Sequence, residues 1–172
     1  MRCLLAEFPR EHWGAGLPQT AAFWLQMHAG FRGAQARMAG LVAGWRAGET
    51  DVRGLHGRLI PELQAFLQHL DGHHRIESGH YFPQFRTLEP RIGEGLDLLD
   101  RDHDTIHAHL EALYRSGMAL HQAVSANAPD QSEAAARLAE ALDRAGAPLT
   151  RHLDDEEEVV IPLMALRAAA ID

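Results

Sequence analysis

Residues 73–83 read HHRIESGHYFP, and a related stretch recurs near the end of the chain. Residues 152–162 read HLDDEEEVVIP, so both begin with a histidine, carry a glutamate four positions later and end on a proline. The two stretches lie 79 positions apart, and the same interval separates His28 from His107. We interpret the chain as two related helix pairs that place these residues about a pseudo-twofold axis.

Turn-forming residues divide the chain into helix-length segments. The breaks are GETD at 48–51, LEP at 88–90 and ANAPD at 126–130. None of the segments shows the period-2 alternation of a strand. The prediction is an all-α fold, an up-down-up-down antiparallel four-helix bundle. The expected helices cover about 18–47, 51–87, 91–125 and 132–166, with a kink or fresh start at Pro61 and an interruption at Gly146 and Pro148. Residues 1–17 are predicted to form a leader, and residues 18–172 the four-helix domain.

Composition excludes several classes of protein. The net charge of −8 disfavours nucleic acid as a partner, because phosphate contacts need clustered Lys and Arg. No stretch is apolar enough for a signal peptide or a membrane span. The single cysteine, Cys3, excludes an internal disulfide and suits a reducing compartment, so we expect a cytoplasmic protein. The unusual number is the count of 12 histidines.

Polar residues interrupt the apolar stripe that each helix would turn toward the core. An ionised carboxylate buried there costs several kcal/mol unless it is paired. A buried Glu–His network explains any one of these residues, whereas metal binding explains the whole set with one assumption. Residues four apart lie about 6 Å apart along a helix, so such pairs reach one ion or two adjacent ions. Imidazole and carboxylate donors without thiolate suit iron, manganese or zinc. The candidate ligands are His28, His73, Glu77, His103, His107, His152 and Glu156.

Together these motifs resemble the hemerythrin family, also called the HHE cation-binding domain. The resemblance rests on His28, on the stretch 73–83, on His103-x3-His107 and on the stretch 152–162, and extends over roughly residues 20 to 166. It implies a non-haem di-iron centre with an oxo or hydroxo bridge. It also implies a protein that binds or senses O2 or a related small diatomic molecule. Reactions with NO or peroxide are possible for such a protein. Whether the protein is an enzyme stays open.

The resemblance also implies a role for each ligand. Three histidines would hold the first iron and two the second, and a small ligand would bind the less saturated ion. Two carboxylates, Glu77 and one from the fourth helix, would bridge the ions. In this assignment the first iron takes His103, His107 and His152, and the second takes His28 and His73.

Two positions depart from the family pattern. Oxygen-carrying members have an aspartate five residues after the last histidine, where this chain has Glu157, preceded by Glu156. We predict Glu156 as the bridge because it lies on the core stripe and obeys the repeat, with Glu157 as the alternative. His74 stands where sensor-type relatives often carry an extra glutamate, and it is either an additional ligand or a polar residue beside the stripe. Trp24 and Phe31 are predicted to be core residues that flank the metal pocket.

Other functional classes fit some of the same residues. A ferritin-like di-iron oxidase needs two Glu-x-x-His pairs, and Glu77-x-x-His80 supplies one of them. That hypothesis makes His80 essential and His28 dispensable, whereas the hemerythrin hypothesis has His80 at most orienting Glu77. A metal-dependent regulatory module acting on a separate protein partner is a third hypothesis. A metal-free structural bundle is the fourth.

Overall fold

Over the residues that the computed structural model describes, 3–14 and 16–171, the chain forms helices joined by turns and contains no strand. Four of the helices are long, and a fifth, α3, is short. Their bounds are α1 Gln19–Arg46, α2 Val52–Ile76, α3 Phe82–Leu88, α4 Gly93–Ser125 and α5 Gln131–Leu166. Short 3-10 turns cover Cys3–Ala6, Arg10–His12, Pro90–Ile92 and Ala168–Ala170. The all-α prediction is confirmed, and the four long helices are consistent with a helical bundle; their up-down order stays a prediction. No helix in the described ranges is long and apolar enough to cross a membrane.

The helix ends follow the predicted turn residues. Gly48 ends α1 at a φ of +77°. The N–H of Gly48 donates to the carbonyl oxygen of Trp45, and the N–H of Glu49 donates to that of Gly44. Asn127 ends α4 in the same way at a φ of +50°. These are left-handed caps, which glycine and asparagine adopt most readily. At the start of α2, Asp51 Oδ1 accepts a hydrogen bond of 2.7 Å from the N–H of Gly54, which is the usual N-cap contact.

The predicted fresh start at Pro61 and the predicted interruption at Gly146 and Pro148 are wrong, while a kink at Pro61 stays a prediction. Helix α2 continues through Pro61, and α5 continues through Gly146 and Pro148. A proline inside a helix removes one backbone hydrogen bond at a cost of about 3 kcal/mol. Leu59 and Leu63, on either side of Pro61, are buried, so their packing holds the helix together across the missing bond.

The irregularity in this part of the chain comes later, as a five-residue π-helical turn at Glu77–Tyr81 between α2 and α3. Its backbone follows the i→i+5 pattern, with the N–H of Phe82 bonding the carbonyl oxygen of Glu77. Pro83 follows directly and has no N–H to donate. Such π turns inside α-helices frequently occur at functional sites.

The chain divides into two compact units, each with its own apolar core. The first unit is Met1–Gly30, Gly72–Asp104 and Thr150–Asp172, and the second is Phe31–Asp71 and Thr105–Leu149. The core of the first contains Leu4, Ala21, Trp24, Phe82, Phe85, Ile92, Leu96, Leu99, Val159, Val160, Ile161, Leu163 and Met164. In the second, the rings of Phe31 and Phe66 meet edge to face at 6.3 Å.

Candidate metal centre

Three histidine side chains meet inside the first unit. His74 from α2, His103 from α4 and His152 from α5 are all buried, and each offers a ring nitrogen within 4.8 Å of the others. The rings of His74 and His103 stack with centroids 4.1 Å apart, and those of His103 and His152 are 4.8 Å apart. Three imidazole nitrogens at this spacing form a donor set for one transition-metal ion. We call these residues the three-histidine group.

A second group of donors lies in the same unit. His28 from α1, His73 from α2, Glu77 from the π turn and Glu156 from α5 each place a ligand atom within 4.8 Å of the others. The Nε2 atoms of His28 and His73 are 3.1 Å apart. We call these residues the two-histidine group, because two histidines and two carboxylates supply its donors.

The Glu77 carboxylate faces both groups. Its Oε1 lies 2.7 Å from His73 Nε2, and its Oε2 lies 3.5 Å from His103 Nε2. One oxygen is therefore directed toward each group, which is the arrangement of a bridging carboxylate.

Glu156 repeats this arrangement from α5. Its Oε1 lies 3.6 Å from His28 Nε2, and its Oε2 lies 3.2 Å from His152 Nε2. Trp24 Nε1 donates a hydrogen bond of 2.6 Å to the same Oε1, which fixes the orientation of the carboxylate. Two carboxylates that each face both histidine groups can link two neighbouring cations.

The buried polar atoms of the centre fit a bound cation. The short contacts between these carboxylates and ring nitrogens lack hydrogen-bond geometry, which leaves several buried atoms without a hydrogen bond: both oxygens of Glu77, Oε2 of Glu156, Nε2 of His103 and both ring nitrogens of His152. Buried polar atoms are nearly always hydrogen-bonded, because burying one without a partner costs free energy. Bound cations would give the carboxylate oxygens and the His103 and His152 nitrogens that face the centre strong partners and would neutralise the two carboxylates.

Electrostatics keeps the imidazoles in the form that binds metal. Burial lowers the pKa of His73 and of His103 to about 4, and that of His74 to about 2, with neighbouring histidines adding to the effect. These rings are therefore neutral at pH 7, and neutral imidazole is the metal ligand. Burial and the nearby Glu156 raise the pKa of Glu77. The pKa of Glu156 is lowered, because His28 and His152 outweigh the effect of its burial.

These shifts predict how the stability of the metal-free protein depends on pH. A histidine with a lowered pKa in the folded state stabilises the fold fully above its unfolded value of 6.5, and this contribution is lost as the pH falls toward 4. We expect the free energy of unfolding to decrease between pH 7.5 and 5.5, by roughly 1 kcal/mol for each of His73, His74 and His103. Glu77 has the opposite effect on the free energy of unfolding, because its raised pKa lets the folded state bind up to one extra proton as the pH falls. Urea denaturation at pH 7.5, 6.5 and 5.5 measures the change, and constant or increasing stability toward pH 5.5 would contradict it.

Hydrogen bonds on the far side of two rings fix their orientation. His28 Nδ1 lies 3.1 Å from Glu157 Oε1, and His103 Nδ1 lies 3.0 Å from the hydroxyl of Ser78. That hydroxyl donates to Asp100 Oδ1 at 2.5 Å, so its oxygen is left to accept the Nδ1–H of His103. With Nδ1 engaged, each ring turns Nε2 toward the carboxylates. Such outer contacts orient metal-binding histidines and raise their basicity.

Six of the seven predicted ligands lie in the two groups, and the seventh does not. The side chain of His107 is 44% exposed, and its Nδ1 lies 3.6 Å from Asp71 Oδ1. The buried positions of α4 step from His103 to Ile106 to Leu110, so residue 107 falls beside the stripe. The six placed in the groups are His28, His73, Glu77, His103, His152 and Glu156.

His74 stands in the three-histidine group where His107 was expected. The signal for it was present in the sequence, because Leu70, His74 and Glu77 are spaced in steps of four and three, and the structure buries all three. The predicted stripe took a step of three from Leu70 and therefore placed His73, not His74, on the core face. His80, which the ferritin-like hypothesis requires, is exposed and belongs to neither group.

The comparison with protein families agrees with this geometry. Residues 19–122 match the Hemerythrin HHE cation binding domain, which covers α1, α2, α3 and most of α4. Neither the curated proteins nor the solved structures gave a significant match. The matched segment includes the three helices that carry His28, His73 and His103, and it covers more than half of the chain. The chain therefore belongs to the hemerythrin HHE cation-binding family.

Proposed function

We propose that this cation-binding protein holds two iron ions and binds or senses O2 or a related small diatomic. The observation that carries the proposal is the pair of glutamates, each with one oxygen toward either histidine group. In the proposed centre His74, His103 and His152 would hold the first ion, His28 and His73 would hold the second, and Glu77 and Glu156 would each contribute an oxygen toward both.

The donor set supports iron as the metal. It consists of imidazole nitrogens and carboxylate oxygens, which suit iron, manganese and zinc, and it contains no thiolate. Membership of the hemerythrin HHE family favours iron among these three. Iron in such a centre would supply reversible electron transfer to a diatomic molecule. Because the two groups differ by one histidine, the ion at His28 and His73 is the less saturated one and is where we place the small ligand.

Aromatic side chains beside the two-histidine group support a small apolar ligand. Trp24 meets the ring of His73 edge to face at 5.8 Å. It also contacts Tyr81 at 5.0 Å and Phe85 at 5.9 Å. Trp24 and Phe85 are buried, so they shield this side of the group from water. A dry, apolar wall beside a cation favours neutral diatomic molecules over larger polar ligands.

The placement of two histidines favours this function over a ferritin-like oxidase. That alternative requires His80 and can dispense with His28. His80 is exposed, whereas His28 is fully buried and its Nε2 lies within the two-histidine group. Cytoplasmic location belongs to the same proposal and rests on the single cysteine, Cys3.

Visible absorption spectroscopy of the iron-loaded protein tests the function. We expect charge-transfer absorption that changes on exposure to O2, NO or azide. His28→Ala should lose the response because it removes a donor from the less saturated ion, and His80→Ala, at an exposed position, should keep it. If the protein holds two irons but its spectrum does not change with O2, NO or azide, the proposed ligand binding is refuted and the proposed metal centre is not.

A further inference from the structure

Two histidines outside the metal centre, His56 and His121, also bring two ring nitrogens together. His56 lies in the second turn of α2 and His121 near the end of α4, and both belong to the second unit. The Nε2 of His56 is 3.0 Å from the Nδ1 of His121. Their rings are nearly parallel, with an interplanar angle of 24° and centroids 5.2 Å apart. Neither residue is part of the two groups described above.

The distance between the two nitrogens suits chelation of one ion. Imidazole nitrogens bind zinc at about 2.0–2.1 Å. Two nitrogens at that distance from one ion are about 2.9 Å apart when they subtend a right angle and about 3.3 Å apart at the tetrahedral angle. The observed 3.0 Å falls inside this range. An ion could therefore replace the shared hydrogen bond without a large movement of either helix.

The pair is accessible and its charge state is favourable. His121 is exposed and His56 is partly buried, so an ion reaches the nitrogens from solvent. Burial, together with His121 and Arg53, lowers the pKa of His56, which keeps its ring neutral at pH 7. The guanidinium of Arg53 donates a hydrogen bond of 2.9 Å to Asn127 Oδ1, which ties this neighbouring positive charge to a partner other than the pair.

We propose that His56 and His121 form a second metal site, which chelates a divalent transition-metal ion between α2 and α4. On binding, the proton that the two nitrogens share moves to the outer nitrogen of the same ring, and water completes the coordination. Two imidazoles favour Cu²⁺ over Ni²⁺ and Zn²⁺, in the usual order of divalent affinities. The site is independent of the proposed iron centre, since it uses none of the same residues.

Copper binding to the full chain tests this site. The protein is first incubated with Fe²⁺ and desalted, its iron content is measured, and Cu²⁺ is then titrated while electron paramagnetic resonance is recorded. We expect one tight copper equivalent whose spectrum shows splitting from two nitrogens, with the iron content unchanged. His56→Ala and His121→Ala should each weaken this binding by at least roughly tenfold, because each variant loses the chelate.

The matched control is His69→Ala, an exposed histidine on the same helix, which should bind copper as the unmodified chain does. Equal copper affinity in His121→Ala and the unmodified chain would overturn the proposal, as would copper binding that never saturates. Displacement of iron by the first copper equivalent would overturn it as well. Because iron content is followed separately, a failure to load iron does not count against this site.

Discussion

Replacing Glu156 by glutamine is expected to lower the iron content from two ions per chain to one or fewer. The side chain keeps its shape but loses the charge and one of the two oxygens that face His28 and His152. It also has to accommodate an amide where Trp24 Nε1 donates at 2.6 Å. We expect the affinity for iron to fall by more than about 100-fold, beyond the 10- to 100-fold typical of outer contacts.

Glu157→Gln is the matched control, because it makes the same chemical change one position along α5. Glu157 lies against Nδ1 of His28, on the ring edge away from the centre. This variant should keep two ions and lose no more than about 10- to 100-fold in affinity. Iron titration followed by elemental analysis measures both. The reverse order, with Glu157→Gln losing an ion and Glu156→Gln keeping both, would assign the bridge to Glu157 and contradict the proposed centre.

Removal of His74 is the second large expected effect. His74→Ala takes away one of the three nitrogens of the three-histidine group, so one of the two ions should be lost. The ring of His74 also stacks on that of His103, and its loss leaves a cavity there. Circular dichroism of the metal-free variant therefore has to show a folded helical protein before iron is counted.

His107→Ala separates this assignment from the one that family resemblance alone implies. His107 is 44% exposed and paired with Asp71, so the variant should keep two ions and nearly unchanged stability. The sequence-based assignment expects the opposite, with His107 as a ligand of the first iron. Loss of an ion in His107→Ala together with full occupancy in His74→Ala would show that the structural assignment is wrong.

The sequence predicted the helices well because their ends depend on local chemistry. Gly48, Asp51 and Asn127 act through contacts with residues no more than four or five positions away. The fresh start at Pro61 and the interruption at Gly146 and Pro148 were wrong because packing of distant segments outweighs a local backbone penalty. The length of the helices could be predicted from the turn-forming residues between them, but the effect of a proline inside a helix could not.

Which histidine enters the centre depends on the rotation of the helix about its axis. The sequence pattern determines this rotation only to within one residue. The pair His73 and His74 occupies adjacent positions, and the structure places both near Glu77, one in each group, with His74 buried and His73 partly buried. The π turn, which begins at Glu77, also has no distinct sequence signature beyond the nearby Pro83. The outer contacts of Ser78 and Glu157 require knowledge of the tertiary arrangement, because their partners lie 25 and 129 positions away.

The number of iron ions per folded chain tests the central claim most directly. The protein is unfolded with a chelator, refolded with excess Fe²⁺ without oxygen, desalted, and analysed for iron and protein concentration, with thermal unfolding recorded with and without the metal. The proposed centre predicts two ions per chain and a higher unfolding temperature for the loaded protein, since ions that bind only the folded state stabilise it. A folded protein that retains no iron and unfolds at the same temperature with or without Fe²⁺ would contradict it.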